Sequence, residues 1–159
     1  MLLSSNKEIS LLAPCDGRAI PLSEVADEAF SSGMLGIGFG VLPTGGHILS
    51  PIAGRVASVA EAKHAYTLVG EKGAEVLVHI GVDTVSLGGA PFSPLVGEGE
   101  RVRAGAPLAE VDFSAIRARS LSDTVIVLLC DAEGVEAVRY EYGACTGGES
   151  APMRFRLRR

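Results

Sequence analysis

Apolar residues in this chain gather in short runs bounded by Gly or Pro, a rhythm that predicts strands rather than helices. The runs lie at residues 18–22, 37–41, 47–50, 55–59, 66–69, 75–80, 107–111, 124–129 and 153–157. Between them, Pro43-Thr44-Gly45-Gly46, Gly70-Glu71-Lys72-Gly73, Gly88-Gly89-Ala90-Pro91 and Gly97-Glu98-Gly99 supply the residues that tight turns demand. Helical signals are few and short. Residues 113–120 have Asp112 and Ser114 as N-caps, and residues 131–137 open on an Asp cap with acidic residues in the first turn. The pattern predicts an all-β protein, a compact β-sandwich or barrel with one or two short helices. It also contains an internal echo: Pro14-Cys15-Asp16-Gly17-Arg18 and Pro51-Ile52-Ala53-Gly54-Arg55 share P-x-x-G-R, as a fold built from two related β-motifs would.

Length and composition narrow the picture. The 159 residues make a single domain, residues 1–159, whose first eight residues are expected to be a flexible N-terminus. A hydrophobic content of 47% against 21% charged residues excludes wholesale disorder, and the surplus of Gly, 20 in all, serves the turns. The net charge of −5 argues against a general nucleic-acid or anionic-membrane binder. Arg154, Arg156, Arg158 and Arg159 cluster at the C-terminus and read as a solvated edge strand and tail. Cys15, Cys130 and Cys145 form no CxxC pair and leave one thiol over in any disulfide scheme, as expected of reduced, mostly buried thiols in a cytoplasmic protein. With no uncharged apolar stretch near 18 residues and no signal-like opening, the chain is read as neither secreted nor membrane-spanning.

The chemistry centres on His64 and His79. In the run 75–80 the alternation puts Leu77 and His79 on one face and Val76, Val78 and Ile80 on the other. An imidazole beside Leu77 sits in partly apolar surroundings that disfavour its charged form. Gly81 lets backbone approach the ring, so its carbonyl can take a hydrogen bond from one ring nitrogen and leave the other as a free nucleophile. Asp83 is close enough in sequence to hydrogen-bond or to shape the loop that follows. A hairpin centred between Glu71 and Lys72 would set His64 directly opposite His79. Two opposed imidazoles admit three readings: a structural pair, a metal site that lacks further ligands, or a phosphoryl site in which one ring attacks phosphorus and the other donates to its oxygens.

The segment Leu77-Val78-His79-Ile80-Gly81-Val82-Asp83-Thr84-Val85 resembles the phosphorylation motif of the glucose-family IIA proteins of the bacterial sugar phosphotransferase system. Further blocks agree, in order: Gly36-Ile37-Gly38 to Pro43-Thr44-Gly45, Ser50-Pro51-Ile52-Ala53-Gly54, His64-Ala65-Tyr66, and Gly99-Glu100-Arg101-Val102-Arg103-Ala104-Gly105. The resemblance runs from about Ile9 to the C-terminus and implies a β-sandwich of the duplicated hybrid type. It implies a cytoplasmic phosphocarrier that takes a phosphoryl group from the phosphocarrier HPr and passes it to a cysteine on the IIB domain of a sugar permease. That permease would be of glucose, N-acetylglucosamine, sucrose or β-glucoside type. His79 would carry the phosphoryl group and His64 would support it, with Gly81 and Asp83 assisting. Phe30, Leu35, Leu77 and Val85 match positions of the family's apolar docking surface. No cofactor is implied; zinc would bind the His pair only with a ligand from a partner protein.

Three residues depart from the family's usual pattern. Ala62 stands where Thr is common two residues before the first His, Ile37 where an Asp commonly separates two glycines, and Glu28 where apolar residues are usual. Rival readings are weaker. The segments at 50–56 and 99–108 are similar to turns of biotinyl and lipoyl carrier domains, but Lys63 is not in the hairpin tip such a carrier needs. A zinc peptidase of related architecture needs a third ligand and an HxH pair, and His47 has no such neighbour. A non-catalytic regulatory or zinc-bridged binding module on the same fold is the alternative function.

Overall fold

The computed structural model of the chain describes residues 7–70 and 73–158. Its strands are β1 (Ile9–Leu11), β2 (Gly17–Pro21), β3 (Ile37–Pro43), β4 (His47–Leu49), β5 (Gly54–Val59), β6 (Ala65–Gly70), β7 (Glu75–Ile80), β8 (Phe92–Pro94), β9 (Arg101–Val102), β10 (Pro107–Val111), β11 (Val125–Leu129), β12 (Val135–Tyr140), β13 (Gly143–Cys145) and β14 (Met153–Leu157). Two short helices join them, α1 (Glu28–Ser31) and α2 (Phe113–Ala118), with 3-10 turns at Leu22–Glu24 and Thr84–Leu87. All strand pairings are antiparallel.

An eight-stranded sheet in the order β13-β2-β3-β11-β7-β6-β5-β9 forms one wall. Two three-stranded sheets, β4-β10-β8 and β1-β14-β12, close over one of its faces. The main core fills the space between: Phe39, Val41, Tyr66, Leu68, Val76, Val78 and Val127 from the large sheet meet Leu11, Ile48, Leu108 and Phe155 from the small ones. The unbroken apolar run of β11 is explained by its place, since all five of its residues are buried and it serves both faces. On the second face Ile126 and Leu128 build a smaller cluster with Ile20, Val25, Phe30 and Val82, against which Leu77 packs. The lack of a side chain at Gly40 lets the segment carrying Val25 lie close to the sheet, because a Cβ there would come within 3.1 Å of the Val25 methyl.

The P-x-x-G-R echo has a structural counterpart. Gly17 and Gly54 each open a strand at equivalent places in two hairpins, pairing with Pro43 and Gly70. A Cβ at either would come within 2.0 and 2.2 Å of a carbonyl oxygen on the partner strand, so the close approach requires Gly at both.

Several expectations are corrected. Residues 131–137 do not form a helix: Asp131 Oδ1 accepts from the Glu133 amide at 3.0 Å, Gly134 takes φ +80°, and the chain enters β12 at Val135. An Asx-type turn has taken the Asp that a helix cap would use. Arg154 and Arg156 are not on an edge strand, because β14 lies between β1 and β12; Arg159 lies outside the described residues. Arg158 pairs with Glu136 at 3.1 Å and Arg154 approaches Glu141 at 3.9 Å, while the neighbouring Arg139 pairs with Glu8 at 2.7 Å. This surface is thus a ladder of mixed charge, poorly suited to phosphate backbones. Of the N-terminal segment expected to be flexible, residues 1–6 lie outside the described residues, as do Glu71 and Lys72 of the predicted turn.

Tyr66 is fully buried, and its hydroxyl has no hydrogen-bonding partner among the described residues. Burial pushes that phenol up to about 12. Removing an unpaired buried hydroxyl while keeping the ring relieves a desolvation cost. Tyr66→Phe is therefore expected to stabilise the fold by about 1 kcal/mol, read as a rise of about 2–4 °C in Tm. A fall in Tm would show that the hydroxyl is satisfied in solution.

Candidate functional site

His79 lies near the end of β7, beside Ile126 of β11, and Ala65 of β6 is its cross-strand partner on the other side. The alternation places its ring on the face of Leu77, as the sequence predicts, while Val76, Val78 and Ile80 enter the main core. Directly after the strand the chain turns. Gly81 donates to the Thr124 carbonyl at 2.9 Å, Val82 to the Ser122 carbonyl at 3.0 Å, and Thr84 Oγ1 to the Ile80 carbonyl at 2.5 Å. These bonds fix the direction of the Gly81 carbonyl, which accepts from His79 Nδ1 at 2.8 Å. A carbonyl can only accept, so Nδ1 carries the proton, and the neutral ring presents its lone pair at Nε2.

Gly81 is required by this turn. It holds φ +78°, and a Cβ there would come within 2.4 Å of the Thr84 methyl and 2.9 Å of the Ser122 carbonyl oxygen. Gly81→Ala is expected to destabilise the fold by about 2–3 kcal/mol and to displace the carbonyl that holds Nδ1. A variant of unchanged Tm would contradict this.

The register of the β6–β7 hairpin differs by one residue from the expected one. Ala65, not His64, is opposite His79. The reason is loop length: Gly70 donates to the Ala74 carbonyl at 2.8 Å, leaving three residues in the loop rather than two, and Gly73 takes φ +79°. His64 precedes β6, at the end of the four-residue tip joining β5 to β6 that the bond from Ala60 N to the Ala65 carbonyl closes. There the backbone has left the pleat, with Lys63 at φ +66°, so His64 escapes the strand alternation that would have sent it toward the face of Ile80. Its carbonyl accepts from Ile80 N at 2.8 Å, and its ring meets His79 edge to face, centroids 4.9 Å apart at 87°. The two rings are together by a route other than direct pairing.

On another side of His79 lies Phe30 of α1, with ring centroids 5.0 Å apart and planes tilted by 58°. The nucleophile candidate is thus packed between an imidazole and a phenyl ring. Burial, and secondarily the neighbouring His64, push the His79 pKa below the usual histidine range; the Gly81 hydrogen bond and the carboxylates of Asp27 and Asp83 oppose this without overcoming it. His64 is likewise lowered by burial. Both rings therefore favour the neutral form. Asp83 has φ +61° and opens the 3-10 turn at Thr84–Leu87 without a side-chain cap bond; its charge raises the His79 pKa only slightly. Asp27 was not singled out by the sequence. The D-x-x-F spacing to Phe30 was its visible signal, an N-cap before a short helix.

Leu35 and Val85 are exposed and Leu77 is half-buried, as a docking rim would require. Phe30, expected on that rim, is only 7% exposed and supports the His79 ring from below the surface. His47 is exposed on β4, in a different sheet from His79. Among the described residues no three His, Cys, Asp or Glu side chains converge to hold a metal, and no helix is long and apolar enough to cross a membrane. A nucleophilic, neutral Nε2 beside a second imidazole on an open surface suits transfer of an anionic group between macromolecules better than enclosed small-molecule chemistry.

Residues 9–135 match the model of the phosphoenolpyruvate-dependent sugar phosphotransferase system, EIIA 1. The chain belongs to this EIIA family. It is accordingly a phosphotransferase component of sugar uptake. It is 40% identical over 142 residues to the glucose-specific EIICBA component of Streptococcus pneumoniae, matching over 89% of this chain but only 20% of that protein. It is 38% identical over 133 residues to the glucose-specific EIIA component of Oceanobacillus iheyensis, covering 84% of this chain and 81% of that protein. The solved glucose permease IIA from Mycoplasma capricolum superposes with a TM-score of 0.86 at 31% identity, over 97% of this chain and 99% of the other.

Within this EIIA chain the three departures have local explanations. Ala62 offers no hydroxyl near His64, and His64 Nδ1 is buried with no hydrogen-bonding partner among the described residues. Ile37 packs against the main core at the start of β3, so no carboxylate comes from that position. Glu28 is exposed in the first turn of α1, where a negative charge complements the exposed amides of the helix start.

Proposed function

We propose that this EIIA chain accepts a phosphoryl group on His79 Nε2 from phospho-HPr in the cytoplasm and passes it to a cysteine on the IIB domain of a glucose-type sugar permease. The observation that carries this reading is the 2.8 Å bond from His79 Nδ1 to the Gly81 carbonyl, which commits one nitrogen and leaves the other nucleophilic. The Nε2 lone pair attacks phosphorus in line. The P–N bond to the donor histidine breaks, and its electron pair returns to the donor imidazole. In the second step the IIB thiolate attacks the phosphorus, and the P–N electron pair returns to His79 Nε2.

His64 supplies positioning and charge stabilisation. With no acceptor at Nδ1, its ring proton is best placed on Nε2, the tautomer that donates to a phosphoryl oxygen. Apolar Leu35, Leu77 and Val85 form a rim that a partner would cover, excluding water from the P–N bond. The glucose assignment is supported by the names of the relatives, including a fused component in which an EIIA segment is joined to permease domains.

Incubation with phosphoenolpyruvate, Enzyme I and HPr, followed by intact-mass measurement, tests the proposal. One acid-labile phosphoryl group is the expected gain. No gain in the presence of active HPr would favour the regulatory or zinc-bridged module instead.

A further inference from the structure

We propose that Asp27 is a positioning residue for phosphoryl transfer: it caps α1 and so holds the Phe30 ring against the imidazole of His79. The inference rests on the reading of His79 as phosphoryl acceptor and extends it to a residue remote in sequence from both histidines. A four-residue helix cannot sustain itself, since helix formation is cooperative and isolated helices need many more residues. The geometry of α1 must therefore come from its cap and its packing. The Asp27 side chain supplies the cap: its Oδ1 accepts from Ala29 N at 2.8 Å, while its backbone carbonyl takes the first helical bonds from Phe30 N at 3.1 Å and Ser31 N at 2.8 Å, as any residue there would. Phe30 packs in the cluster of Ile20, Val25, Val82, Ile126 and Leu128, next to the His79 ring.

The consequence is a ring held at two points. The Nδ1 bond to Gly81 fixes one edge of the imidazole, and the Phe30 ring at 5.0 Å limits its rotation about that bond. Together they set the direction of the Nε2 lone pair before a partner arrives, and such preorganisation lowers the barrier to in-line attack. The Asp27 carboxylate also raises the His79 pKa slightly against the larger effect of burial. Capping and charge are separable, because Asn keeps the acceptor oxygen and loses the charge.

The test compares wild type with Asp27→Ala, Asp27→Asn and Phe30→Leu, each checked for folding by thermal unfolding. Two quantities are read: the rate of phosphoryl acceptance from phospho-HPr, and the NMR shifts of the His79 ring protons, which report the Phe30 ring current. Asp27→Ala is expected to slow acceptance about tenfold and to move the His79 resonances, because small misplacements of a reacting group are costly. Asp27→Asn is expected to restore both to near wild type. Phe30→Leu, which leaves the cap in place, is expected to slow acceptance and move the same resonances, and it keeps the test alive should Asp27→Ala not fold. Wild-type rates and shifts in Phe30→Leu, or a folded Asp27→Asn as impaired as Asp27→Ala, would overturn the inference while leaving His79 as acceptor. Absence of phosphorylation in the wild type itself would overturn both.

Discussion

His79→Ala is expected to abolish phosphoryl acceptance altogether while leaving the domain folded. The ring is half-buried on the second, smaller face of the large sheet, away from the main core, so its loss removes a nucleophile without opening the central packing. Among the described residues no other side chain has the same equipment. His64 lacks a partner for Nδ1 and so has no carbonyl to hold the proton away from a nucleophilic Nε2, and His47 is exposed on another sheet. The expected readings are no mass gain with active Enzyme I and HPr, and a Tm within a few degrees of wild type. The pH dependence of the wild type follows from the direction of the His79 shift. Burial and His64 lower its pKa, the Gly81 carbonyl, Asp27 and Asp83 oppose them, and the net result lies below the usual histidine range. Nε2 therefore stays unprotonated at neutral pH, and acceptance should fall only as pH drops through that lowered value. The same shift makes the folded state lose stability on acidification, since a ring buried neutral must take up a proton.

His64→Ala is expected to separate the two half-reactions. Acceptance from phospho-HPr should persist, because the nucleophile and its bond to Gly81 do not involve His64. Transfer to the IIB cysteine should fall by about 10²–10³, the usual loss when one donor to a developing anionic centre is removed. A second signature accompanies it. His64 depresses the His79 pKa by its charge and by helping to bury it, so the variant's acid limb of acceptance should move toward higher pH. Loss of acceptance equal to that of His79→Ala would show that His64 takes part in the attack itself.

The strand content was legible because it rests on local apolar alternation and Gly or Pro boundaries, and each run read as a strand is one. What escaped were short pieces whose pairing is dictated from a distance. β9 has two residues and β1, β8 and β13 have three each, too few to show a period, and β12 was hidden behind an Asp that caps nothing helical. The histidine pair was legible as a pair, and the Gly81 carbonyl as the partner of His79 was also foreseen. The register was not, since a three-residue loop and a two-residue loop read alike around Gly70 and Gly73 but shift every cross-strand partner by one. His64 still reaches His79 only because the tip between β5 and β6 releases it from the pleat. Asp27, and the contact of Phe30 with His79, lay beyond local reading for a different reason: α1 is separated from β7 by more than forty residues and meets it only through the fold of the sheet.

The most direct measurement is to locate the phosphoryl group by nitrogen and phosphorus NMR on 15N-histidine-labelled protein after phosphorylation. The account predicts phosphorus coupled to Nε2 of His79, with Nδ1 still protonated and bonded to the Gly81 carbonyl. Phosphorus on His79 Nδ1, or on His64, would contradict it.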